Sequence, residues 1–115
     1  MAKRGATKKS PRTLVEYDLY LPLATNRGRR ISSRTLAGIK QELIEEFGGV
    51  TDFRHYNEGH WRVGHVTFRD DILIYRVLGE SRARARRFLK RLQAALEGEL
   101  EQEEILIIER SVRQL

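Results

Sequence analysis

The stretch that most constrains the fold is Trp61 to Leu78, WRVGHVTFRDDILIYRVL. Its second half, Ile72-Leu73-Ile74-Tyr75-Arg76-Val77, is apolar at nearly every position rather than at alternate ones, as a strand reads when both its faces are covered. Such a strand belongs in the middle of a sheet. The first half is β-prone as well. The two runs are expected to meet at Arg69-Asp70-Asp71 and fold back as a hairpin, since aspartate favours turn geometry.

The flanking segments supply the partners that this hairpin needs. Val15, Tyr17, Leu19 and Leu21 alternate with Glu16, Asp18 and Tyr20, the pattern of a half-buried strand, and Pro22 closes it. Ser32 or Ser33 can cap a helix in which Leu36, Ile39, Leu43, Ile44 and Phe47 recur at helical spacing, and Gly48-Gly49 ends it. A short strand over 50–55 follows, and Asn57-Glu58-Gly59 interrupts it as a bulge or a turn. After Gly79-Glu80, Ser81 caps a second helix whose buried stripe is Ala85, Phe88, Leu89, Leu92, Ala95 and Leu96, with Gly98 as its stop. The acidic linker 99–104 then leads to Ile105-Leu106-Ile107-Ile108, apolar on both faces and so either interior or covered by a partner.

Strand, helix, strand, strand, helix, strand is the order of the split βαβ, or ferredoxin-like, arrangement, an α+β fold with a four-stranded antiparallel sheet and two helices on one face. Right-handed crossovers would set the first and third strands in its centre. At 115 residues the chain is expected to form a basic arm over 1–13 and one domain over 14–115. It has no cysteine, which excludes disulfides, thiolate nucleophiles and cysteine-built zinc sites and suits the cytoplasm. No apolar run is long enough for a membrane span or a signal peptide. A soluble, unexported protein with no membrane partner is therefore expected.

The net charge of +6 is unevenly spread. Lys3, Arg4, Lys8, Lys9 and Arg12 make the first thirteen residues wholly basic, and Arg82, Arg84, Arg86, Arg87, Lys90 and Arg91 crowd one helix with no acid among them. Charge gathered in blocks points to an anionic partner. An ordinary solvated helix interleaves acids at i,i+4 to relieve repulsion, and this one does not. Arginine suits bidentate phosphate contact. A third group, Arg27, Arg29 and Arg30, lies just before the first helix, where free backbone N–H groups favour anions.

The run Phe47-Gly48-Gly49-Val50-Thr51, then Glu58-Gly59-His60-Trp61, then Asp70-Asp71 leading into 72–77 resembles a group of small, largely uncharacterised prokaryotic proteins. The likeness covers roughly residues 15–110 and implies a ferredoxin-like fold, with nothing about chemistry.

The functional expectation is a non-catalytic module that holds nucleic acid, RNA or DNA, or another polyanion through the arginine helix and the arm, with no cofactor and no metal. Such modules are expected to pair as homodimers through the open sheet face or an edge. Glu16 and Asp18, on the face opposite the first strand's apolar stripe, speak against reading RNA on the open sheet, because carboxylates there repel phosphate. One alternative is a structural or regulatory subunit that docks on an acidic protein. A second is a dimeric barrel with a small-molecule pocket at His60, Trp61 and Tyr75. His55, His60 and His65, five apart, suit neither one helical face nor one strand face and are read as structural or surface groups.

Overall fold

A computed structural model describes residues 12–102 and 104–115, with side chains throughout these except at 54–57, 61, 63 and 66–70. The elements are β1 (Arg12–Pro22), α1 (Ser33–Phe47), β2 (Thr51–Val63), β3 (Val66–Gly79), α2 (Arg82–Glu99) and β4 (Leu106–Gln114). The strands lie in the order β2-β3-β1-β4 with every neighbouring pair antiparallel. This is an α+β chain with an antiparallel sheet and two helices, compatible with the ferredoxin-like arrangement. An isolated antiparallel bridge between Ala24 and Arg30 pairs outside these strands.

The alternation of β1 sets the layering. Val15, Tyr17, Leu19 and Leu21 are buried, and their cross-strand neighbours include Val77, Tyr75 and Leu73 of β3, which are buried on the same face. Ile39 and Leu43 of α1 and Ala85, Leu89, Leu92 and Leu96 of α2 join them in one continuous core. Both helices thus cover the same side of the sheet. Phe47, at the end of α1, stacks edge-on against Phe88 of α2 at 5.8 Å and tilts against Tyr17 at 6.4 Å. The helix ends follow from local chemistry: Ser32 and Ser81 accept the backbone N–H groups of Thr35 and Arg84, and Gly48 closes α1 at φ 84°, a left-handed conformation that glycine adopts without Cβ strain.

Several expectations shift. The hairpin reverses at Gly64-His65 rather than at Arg69-Asp70-Asp71, because Gly64, at φ 63°, supplies the left-handed residue that a two-residue turn needs. Asp70 and Asp71 lie inside β3, opposite Gly59 and Glu58. The interruption before Trp61 is a register shift between Phe53 and Asn57, so β2 runs on as one strand to Val63. Gly98 does not stop α2, which continues to Glu99. Arg12 and Thr13 belong to β1 rather than to the arm, and residues 1–11 lie outside the described residues. β4 pairs only with β1 and forms an edge.

β3 is a middle strand, yet only one of its faces is covered by the helices. Ile72 and Ile74 are half-buried on the other face, and Leu78 there is 47 % exposed. Core and surface should therefore respond differently to truncation. Leu43→Ala, at a fully buried position, should destabilise the fold by ~2–5 kcal/mol in urea unfolding. Gln41→Ala, on the exposed face of α1, should stay within ~0.5 kcal/mol of wild type.

Candidate polyanion interface

The helical period sorts the six cations of α2 by direction. At about 100° per residue, Arg82 and Arg86 flank the buried stripe on one side and Arg84 flanks it on the other. Arg87, Lys90 and Arg91 fan over the crest that faces away from the core, where Ala83, Ala94 and Gly98 are also exposed. The flanks are occupied by acids from other elements. Arg86 donates from Nε and Nη2 to the two carboxylate oxygens of Glu109 on β4, at 2.8 and 2.6 Å. Arg82 donates to Glu109 at 3.1 Å and to the Ser111 hydroxyl at 2.8 Å. On the opposite flank Arg84 Nε donates to Glu46 of α1 at 3.1 Å.

The crest is different. Among the described residues, no carboxylate stands within 4 Å of Arg87, Lys90 or Arg91; Arg91 shares a shallow groove with Glu42 and Glu99 without pairing to either. Only half of the arginine helix is therefore available to a ligand. The lack of acids inside the helix sequence is relieved for the other half by tertiary partners.

Glu109 is the hub of this arrangement. Besides the two arginines, it accepts the Tyr17 hydroxyl at 2.7 Å. The hydrogen bonds from Arg86, reinforced by Tyr17, hold its carboxyl at about 2, against an ordinary 4.5. Burial, and then the bond to Glu109, pushes Tyr17 up to about 12. Sequence reasoning gave Glu109 no role. Its phase carried the missing signal: Ile107, Glu109 and Ser111 pair with Leu19, Tyr17 and Val15, so a carboxylate stands on the inward face and requires a cationic partner.

The loop arginines are not brought to the same place. Arg29 donates to Glu101 at 3.0 Å, and Arg27 Nε stands 4.0 Å from it. Thr25 accepts the N–H groups of Arg27 and Arg29, Gly28 turns the loop at φ 82°, and Arg30 bridges to Ala24. This loop meets the chain beyond the C-terminal end of α2, about 15 Å along the helix axis from Arg91. Glu101 thus already occupies Arg27 and Arg29, and Ser32 caps the N-terminus of α1. Lys8 and Lys9 lie outside the described residues, but Arg12, where β1 begins, stands 3.3 Å from Glu80, just ahead of the α2 cap.

Within a single chain, His60 and Tyr75 of the expected pocket stand apart. Tyr75 is buried and donates its hydroxyl to the Leu36 carbonyl at 3.2 Å. His60 is exposed beside Glu58 at 3.3 Å and sits opposite Arg69, six residues along β3 from Tyr75. That spacing is ~20 Å of strand. Only the backbone of Trp61 is described, paired with Phe68.

The helix-free face of the sheet holds a second ionic cluster that the sequence did not show. Asp18, only 2 % exposed, accepts a bidentate contact from Arg76 at 2.8 and 3.0 Å and a third hydrogen bond from Arg110 at 3.0 Å. Glu16 pairs with the same two arginines at 3.1 and 2.7 Å. The hydrogen bonds from Arg76 and Arg110 lower the Asp18 pKa despite its burial. Arg76 also lies over the Phe53 ring at 5.1 Å. The two acids expected to repel phosphate from this face are thus neutralised by two bases.

No family model, curated protein or solved structure matches this chain.

The Glu109 hub gives a pH signature. Its folded pKa lies below the unfolded value, so its contribution is complete above pH 4.5 and is lost as pH falls toward about 2. Tyr17 has the opposite sign: its contribution is complete below pH 10 and is lost as pH rises toward about 12. Urea unfolding across these windows should show both limbs. Glu109→Gln should flatten the acid limb and lower Tm at neutral pH, whereas Arg87→Ala should leave Tm unchanged.

Proposed function

We propose that this chain is a non-catalytic, ferredoxin-like binding module that holds nucleic acid by its phosphate backbone. The observation that carries this reading is the free cationic crest of α2, Arg87, Lys90 and Arg91, in a helix whose other arginines are committed to Glu109 and Glu46. Arg87 and Arg91 lie one turn apart, about 6 Å along the axis, and Lys90 stands between them. The exposed Ala83 and Ala94 raise no bulky side chain on the same crest, so a phosphodiester chain can approach closely.

Arg12, the first residue of β1, stands beside Glu80 and the start of α2, at the same end of the molecule as the cationic half of the helix. Lys8 and Lys9 precede it by four and three residues in the sequence, and we count the basic arm as part of the same polyanion-binding reading. The sequence carries no base-reading motif, so the mode is mainly electrostatic and sensitive to salt. The cysteine-free composition suits a cytoplasmic setting.

Fluorescence anisotropy on short RNA and DNA of mixed sequence, at about 50 and about 200 mM salt, tests this. Wild type should bind both, with affinity falling steeply as salt rises. Replacing Arg87, Lys90 and Arg91 together by Ala should weaken binding by ~10-fold or more and reduce the salt slope by about 2 to 3. The fold should persist, because these side chains hold no other element. Unchanged affinity in the triple variant, or no binding by wild type at low salt, would reject nucleic acid. A nuclease-resistant acidic protein that co-purifies with wild type but not with the variant would assign the crest to a protein partner instead.

A further inference from the structure

We infer that the helix-free face of the sheet is where two copies of this chain associate, face to face. Cross-strand pairing defines that face. Tyr20 stands between Ile74 and Leu106, Asp18 between Arg76 and Ile108, Glu16 between Leu78 and Arg110, and Val112 faces Leu14. Apolar side chains therefore surround the four-charge cluster, and two of the largest, Leu78 and Leu106, remain 47 % and 48 % exposed. They are the chain's most exposed large hydrophobic residues apart from the C-terminal Leu115, among the described residues.

The ionic cluster makes the face suited to dehydration rather than opposed to it. Glu16, Asp18, Arg76 and Arg110 sum to zero charge and satisfy one another by hydrogen bonds. Covering them leaves no charge unpaired, which is the condition under which buried ions are tolerated. Acids of β1 stand between bases of β3 and β4, so the charge alternates in sign across the strands. A second copy offset by one strand spacing, ~4.8 Å, places base over acid.

Charge also selects the occupant. Among the described residues of this face, a phosphate chain finds no net positive charge and an acidic protein finds no free cation. The N-terminal arm has no large apolar residue except Met1 to lay on the face. A second copy brings the same neutral, apolar surface. Its α2 crest then lies on the far side of its own sheet. Sheets stack ~10 Å apart and each helix layer adds ~10 Å, so the two crests stand ~30 Å or more from each other. That exceeds the Debye length of ~8 Å at physiological salt, and their repulsion is screened.

The area is adequate. Eight residues of β1 span ~27 Å and four strands span ~19 Å, a footprint of ~500 Å² before side-chain relief is counted. Relief brings it toward the ~800 Å² per partner of a stable interface.

Sedimentation velocity from about 1 to about 100 µM protein, without nucleic acid, tests association independently of the function proposed above. Wild type should sediment as a dimer. The double variant Leu78→Glu, Leu106→Glu should sediment as a monomer with a retained cooperative melt, since both positions are already half exposed in the single chain. If that variant fails to melt cooperatively, the single Leu106→Gln variant gives the same reading through at least a ~10-fold weaker association. A monomeric wild type at the highest concentration overturns the proposal. So does a folded double variant that remains dimeric, because pairing would then run through the β2 or β4 edge.

Discussion

Burial of Val15, Tyr17, Leu19 and Leu21 beneath two helices fixes the phase of β1, and both ionic clusters follow from that phase. Because side chains alternate along a strand, Glu16 and Asp18 must point to the uncovered face, where Arg76 and Arg110 meet them from β3 and β4. On the covered face Tyr17 emerges at the margin of α2 and meets Glu109, which in turn collects Arg82 and Arg86. One apolar stripe thus decides which carboxylates are paired, which arginines are occupied and which remain free.

That division changes the meaning of a basic composition. A charge of +6 with six cations on one helix describes a strongly basic protein, but three of the six hold the helix to β4 and α1. Helix attachment and ligand attraction draw on the same residue type and separate only by angle around the helix axis. The loop of Arg27 and Arg29 follows the same rule, with Glu101 in the place of a ligand.

Much of the backbone was legible in the residues. The β1 alternation, the serine caps, the glycine end of α1, the apolar stripe of α2 apart from Ala95, which is exposed, and the middle position of β3 all rest on local chemistry within a few residues. The turn was misplaced because two aspartates are turn formers in general, whereas this turn required a positive φ, which only Gly64 supplied. The ionic partners were hidden for another reason. Asp18 meets Arg76 and Arg110 from 58 and 92 residues away, and Glu109 meets Tyr17 across 92. No local pattern encodes such pairs. Tyr75 was grouped with His60 and Trp61 by nearness in sequence, although the hairpin lays them out along its length.

The four-charge cluster also bears on which structures the chain avoids. It draws on three strands, and each strand contributes side chains that work only in one alignment. If β1 slid by one residue against either neighbour, its apolar stripe would turn to water and Asp18 would lose its guanidinium partners while remaining near the protein interior. Mis-paired sheets therefore carry a double penalty, hydrophobic and electrostatic. The cluster acts as a checkpoint on strand alignment, discriminating against near-native competitors more than it deepens the native state.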